Sequence, residues 1–131
     1  MSGNTNLNEV LKSLQISCDD KKYGFSSIKD NKSELSSEVL ATFQEQEGLT
    51  LIATQDYLQK NDIAFDGPFA KLTIEVHTSL SLVGLTATLA AQLTKHNISA
   101  NVVAAFYHDH IFVQYDLKQK AVEVLLDLKN I

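Results

Sequence analysis

The sequence predicts an α+β protein in which helices pack on one face of an antiparallel sheet, and three observations carry that expectation. Leu72, Ile74 and Val76 alternate with Lys71, Thr73 and Glu75, the period of a strand with one face on a core. Leu82, Leu85, Leu89 and Leu93, flanked by Val83, Ala87, Ala90 and Ala91, form a broad apolar stripe at helical spacing between Ser81 and His96. "NVVAAFY" and "HIFVQY" are two β-rich runs joined so tightly that they must run antiparallel.

The first half reads as follows. Leu7, Val10, Leu11 and Leu14 recur at helical spacing, so "LNEVLKSLQ" is a short amphipathic helix. "KKYGFSSIK", with Tyr23, Phe25 and Ile28, is a strand, and the polar "KDNKSELSS" behind it is an exposed loop. "EVLATFQEQEGLTLIAT" is Glu-rich, which favours helix. Alternation through Val39, Ala41 and Phe43, then Gly48 and the β-rich "LTLIAT", favours a hairpin, which is the reading adopted. Asp56, Tyr57, Leu58 and Lys60 form one or two helical turns capped near Thr54 or Asp56. "DGPF", residues 66–69, reads as a turn dividing two halves, 1–66 and 67–131.

In the second half the helix exits at Asn97, a residue that tolerates the left-handed conformation and releases the chain into Ile98. Asp116 is expected to cap a last helix with Leu117, Ala121, Val124, Leu125 and Leu128 on one face. The order is therefore β, α, β, β, α. A right-handed crossover with the third strand inserted between the first two is the split arrangement called ferredoxin-like. A full unit of that kind has a fourth strand after its second helix, whereas this sequence stops there. The missing strand is expected from "KKYGFSSIK" or from a second subunit, which predicts tight coupling between the halves.

Composition narrows the function. The chain has 131 residues, 44% of them hydrophobic, enough for a core. Sixteen acidic against eleven basic residues give a formal charge of −5, and no basic cluster interleaves with aromatics, which argues against a nucleic-acid partner. The opening "MSGNTNLNEV" lacks the basic and apolar regions of a secretion signal, and the weakly polar run 80–93 is broken by Ser81, Thr86, Thr88 and Gln92. A cytoplasmic protein without a membrane span is expected. Cys18, the only cysteine, rules out an internal disulfide and a cysteine-rich zinc site.

The chemistry concentrates at "AFYHDHIFVQY", residues 105–115. In the split topology the first strand ends at His77, the second ends near Tyr107, and the third begins near His110, so His77, His108, Asp109 and His110 share one edge of the sheet. The following helix starts at that same edge, where its free N–H groups suit a carboxylate or phosphate. Gly84, expected in the first helical turn, would let a ligand approach the backbone, or would serve close helix packing. A metal needs three or four converging ligands, but regular strands turn Asp109 away from His108 and His110, leaving only His77 as a third. Catalysis by a histidine beside a carboxylate lacks a nucleophile set and a phosphate loop. No cofactor is called for, and the histidines serve equally well as braces of the hairpin.

At "VHTSLSLVGLTATLAAQLTKHNISANVVAAFYHDHIFV", residues 76–113, the sequence resembles an ACT domain, a small ligand-binding regulatory module. "EGLTLI", "VHTSLSLVGLTA" and "NVVAAFYHDHIFV" are similar to strings in short stand-alone bacterial proteins with two ACT-like units. Asn97 stands where ACT domains commonly have glycine. The resemblance implies that an amino acid binds where the loop after the first strand meets the adjacent hairpin, often at an interface between units. It implies contacts from Thr78, Ser79, Val83, Gly84 and Leu85 on one side, and from Asn101, Val102, Tyr107, His108 and Asp109 on the other. Asp109 would accept hydrogen bonds from the ligand's ammonium group.

Together these point to a non-catalytic regulatory sensor of two ACT-like units that binds a small ligand, an amino acid, and pairs as a homodimer through its sheets. The alternatives are a protein–protein interaction module with a vestigial pocket and, further off, a His/Asp metal-binding protein.

Overall fold

The computed structural model describes residues 6–29, 36–76 and 83–130. Its centre is strand β5, Asp66–Glu75, ten residues long. The first half contributes helix α1 (Leu7–Lys12) and strands β1 (Gln15–Cys18), β2 (Tyr23–Ile28), β3 (Val39–Gln44) and β4 (Leu49–Thr54), followed by helix α2 (Gln55–Lys60). The second half adds α3 (Leu85–Lys95), β6 (Asn101–Ala104), β7 (Asp109–Gln114) and α4 (Lys118–Leu126), with 3-10 turns on either side of α4. All strands join one antiparallel-paired sheet in the order β3-β4-β2-β5-β7-β6, with β1 beside β5.

Strand β5 belongs to both halves. Its start pairs with β2 (Phe25 opposite Asp66, Tyr23 opposite Phe69) and its end with β1, from Cys18 opposite Leu72 to Gln15 opposite Glu75. Strand β7 runs along the other edge, from Gln114 opposite Phe69 to Asp109 opposite Ile74. The fourth strand of the second unit is thus supplied by the chain itself, mainly by Gln15–Cys18. "KKYGFSSIK" serves only the start of β5. The expected "DGPF" turn is likewise not a free turn: Asp66–Phe69 open β5 and hydrogen-bond across to β2, with a cis Gly67–Pro68 peptide. Asp19 sits where the edge changes partner, accepting from the Tyr23 hydroxyl at 2.5 Å and from the Lys21 amide at 3.0 Å, with Lys71 Nζ 3.6 Å away.

The sheet has two unlike faces. On one, α1, α3 and α4 cover Ala70, Leu72, Ile74, Ile111 and Val113, and Val10, Leu14, Leu89, Leu93, Leu125 and Leu128 complete the largest core of the described residues. Helix α2 lies on the same face of the first half, over Ala53 with Leu58 and Phe65. The other face carries aromatics: Tyr23, Phe25, Phe69 and Phe112 meet edge to face, with centroids 5.2–5.9 Å apart. Tyr23's hydroxyl is held well above its ordinary pKa by burial and by its bond to Asp19.

Helix ends explain the boundaries. The side chains of Asn6 and Thr54 accept from the amides of Glu9 and Tyr57, capping α1 and α2. Helix α3 starts later than the leucine stripe suggests, at Leu85, because Gly84 is its N-cap in the left-handed region (φ 98°) and not part of its first turn. It ends as expected, with Asn97 left-handed (φ 65°) and the Ile98 amide bonded to the Leu93 carbonyl. Asp116 does not cap α4: it lies inside the 3-10 turn Tyr115–Leu117, and Leu117 occupies the N-cap without a side-chain bond. No helix among the described residues is long and apolar enough to cross a membrane.

Candidate functional site

Strands β5 and β6 both run antiparallel to β7, so they are parallel to each other, and β7 lies between them. The end of β5, the end of β6 and the start of β7 consequently meet at one rim, where Asp109 faces Ile74 on one side and Ala104 on the other. Helix α3 carries the chain from the end of β5 back to the start of β6, so its N-terminus opens at the same rim. Gly84 there offers no capping side chain, and among the described residues a Cβ added to it would meet only Leu7, at 3.7 Å. Leu85 itself is buried in the core, so a ligand could use its backbone but not its side chain.

The triplet His108-Asp109-His110 is divided by the strand period. Asp109 shares its face with Ile111 and Val113, toward the helices, whereas His110 shares its face with Phe112, on the aromatic side. His108 and His110 stand edge to face with ring centroids 6.5 Å apart. Among the described residues no three of His, Cys, Asp and Glu come close enough to hold a metal. His110 is instead bonded through Nδ1 to the Thr73 hydroxyl at 3.0 Å. Its pKa is lowered by burial and by the charges of Lys71 and His108, against a smaller opposing effect of Asp109, so the imidazole is neutral near pH 7.

The hairpin between β6 and β7 closes with the Ala105 amide on the His108 carbonyl at 3.1 Å. Its tip presents Phe106 and Tyr107, 78% and 84% exposed, stacked edge to face. Val83 is equally open, at 87%. Chain direction thus puts Val83 and Gly84 at the same end of the sheet as Tyr107, His108 and Asp109. Val102 and Asn101 lie further down β6: Val102 packs on the helix-side core, and Asn101, on the other face, donates from Nδ2 to the Phe112 carbonyl at 3.3 Å. Thr78, Ser79 and His77 fall outside the described residues.

A second concave feature was not anticipated. The sheet curls so that Ala41 and Ile52 of the first half and Val103 and Phe112 of the second line one cavity of about 120 Å³, with Lys71 and His110 in its wall. The only signal in the sequence is a second set of apolar residues, Phe25, Phe69, Val103 and Phe112, at strand positions alternate to the core leucines and valines.

Two family profiles, each described as an ACT domain, match residues 2–70 and 65–127. No curated protein matches. Among solved structures, a Vibrio cholerae protein described as of unknown function and a possible transport protein is 39% identical over 98% of this chain and 99% of its own, with a TM-score of 0.86. An Agrobacterium tumefaciens protein is 14% identical, covering 88% of this chain and 89% of its own, with a TM-score of 0.67. The regulatory subunit of aspartate kinase from Thermus thermophilus, in a ligand-free form, is 9% identical over 88% and 98%, with a TM-score of 0.61. The latter two show likeness of fold.

Proposed function

The chain belongs to the ACT domain family, and from that premise we propose that it is a non-catalytic regulatory protein that senses an amino acid. The family and the aspartate kinase regulatory neighbour support a regulatory, ligand-binding role. The ligand's carboxylate docks on the amides at the start of α3 beside Gly84 and Val83, with Thr78 and Ser79 as the further contacts the sequence leads us to expect. Its ammonium group is held by Asp109, with Tyr107 and His108 flanking the side chain and Val102 and Asn101 supporting the strand behind.

The observation that carries this reading is the division of the triplet: Asp109 alone of the three turns toward the helix side, at the rim where α3 begins with a left-handed glycine. A carboxylate and a helix N-terminus at one rim match the two ends of a zwitterion. The chain then consists of two ACT-like units, 1–66 and 67–131, works in the cytoplasm, and pairs as a homodimer through its sheets.

A thermal-shift screen over the amino acids tests the proposal. A ligand present at about a hundred times its Kd adds roughly 2.7 kcal/mol, which moves the midpoint by several degrees in a chain of this size. Asp109→Ala should abolish that response while the unliganded midpoint stays put. The exposed pair Phe106 and Tyr107 favours a second reading, a protein-interaction module, and silence from every amino acid would select it.

A further inference from the structure

The curled face carries a cavity that the amino-acid reading does not use. Its walls come from both halves of the chain, Ala41 and Ile52 opposite Val103 and Phe112, and its volume is about 120 Å³. An engineered apolar cavity of about 150 Å³ accepts benzene, so this one takes a body of about four or five carbons. Two polar groups interrupt the apolar lining. Lys71 has a side chain only 19% exposed, and its ammonium group lies 5.3 Å from the centre of the Tyr23 ring and 3.6 Å from Asp19, a loose ion pair that leaves donors unspent. His110 is tied at Nδ1 to the Thr73 hydroxyl, and its second ring nitrogen has no partner among the described residues.

Those groups define the ligand class. The lysine ammonium is a donor, the imidazole becomes a second one when the Thr73 hydroxyl donates to Nδ1 and leaves the proton on the other ring nitrogen, and no carboxylate lines the cavity. An anion is matched there. A ligand ammonium would find only apolar wall and a like charge, at the cost of desolvation without a partner. The cavity thus discriminates against the zwitterion proposed for the rim, on the opposite face of the same hairpin. We propose that it is a second binding site, for a compact monocarboxylate whose branched apolar body fills the space between the two halves and whose carboxylate is held by Lys71 and His110. Because each half supplies one wall, occupancy clamps the units together.

Methyl-resolved NMR titration of the full chain with sodium 3-methylbutanoate tests this, with 3-methylbutylamine and 3-methylbutanol as matched probes. The carboxylate should shift the Ile52 and Val103 methyl signals saturably, and the amine should leave them unmoved. Lys71→Met, which keeps the stem but not the charge, should weaken binding at least tenfold, and His110→Gln several-fold. If Lys71→Met fails to fold, the His110→Gln result and the ranking of the three probes decide. Absence of a saturable shift, equal binding of the alcohol or amine, or undiminished binding by a folded Lys71→Met protein overturns the proposal. Since the readout is on Ile52 and Val103, its failure is distinguishable from failure of the rim site, which is read at Gly84 and Asp109.

Discussion

The two ends of strand β5 live in different surroundings. Around Leu72 and Ile74 three helices and the strands β1 and β7 close a single large core. Around Asp66 and Phe69 the described residues of the first half offer only the six-residue α2, with a small cluster of Ala53, Tyr57 and Leu58 beneath it. The same sheet is thus thickly covered at one end and thinly at the other, because helix–sheet packing needs a stripe long enough to span the strands. Leu85, Leu89 and Leu93 of α3 provide one, and Tyr57 and Leu58 do not. The thick end anchors the start of α3 through buried Leu85 and the strand ends through their pairing, and a recognition site needs such support.

Truncating the two cores should set the two ends of β5 furthest apart. Leu72→Ala should cost about 4 kcal/mol, near the upper part of the range for buried leucines, because its rigid surroundings cannot collapse. Leu58→Ala, equally buried but in a small cluster rimmed by the partly buried Val39, Ile63 and Phe65, should cost about 2.5 kcal/mol. Urea unfolding measures both, and a reversed order would contradict the assignment of thick and thin ends. Each variant should still unfold in one transition by fluorescence and circular dichroism, since β5 belongs to both halves.

Next come the helix starts. Gly84→Ala forces a side chain into the left-handed region at the head of α3 and should cost about 1–2 kcal/mol; the nearest described atom is at ordinary contact distance, so the backbone and not crowding sets the figure. A cost below about 0.5 kcal/mol would show that Gly84 is not held in that conformation. At the thin end, Thr54→Ala removes the cap on the Tyr57 amide and the hydroxyl's bond to Glu38, at about 1 kcal/mol. Both are read from chemical denaturation.

The smallest effect is electrostatic. His110 has a folded pKa below its ordinary value, first because it is partly buried and then because Lys71 and His108 oppose its protonation, with Asp109 favouring it. The unfolded chain therefore binds the proton more readily, so stability is complete above the ordinary imidazole pKa of about 6.5 and is lost as pH falls through it toward the folded value. The slope stays under the one-proton limit of about 1.4 kcal/mol per pH unit. His110→Gln should flatten it, and an unchanged profile between pH 7 and 5 would place the sensitivity elsewhere.

Much of the thick end was legible in the sequence and little of the thin end's role. Alternation about Leu72, the leucine stripe of α3, the hairpin and the left-handed Asn97 are local patterns with one solution each. The strand Gln15–Cys18 is not: four residues with Ile16 and Cys18 as the only apolar members have no readable period, and they pair only because β5 offers an edge. The double use of β5 is equally invisible, since pairing partners are distant in sequence. At the site, the period of two already separates Asp109 from His108 and His110. The start of α3 at Leu85 follows from the left-handed conformation of Gly84, which the leucine spacing does not report. The concave cavity was missed because its walls come from strands far apart in the sequence, with Ala41 and Val103 62 positions from each other, and its apolar residues sit at positions that look solvent-facing one strand at a time.

An amide-resolved NMR titration of the labelled protein with the amino acids reads the rim itself. The rim site predicts saturable shifts at Val83, Gly84, Leu85 and Asp109 for at least one of them, lost in Asp109→Ala. Saturable shifts confined to other parts of the sheet, or none for any amino acid, would contradict it.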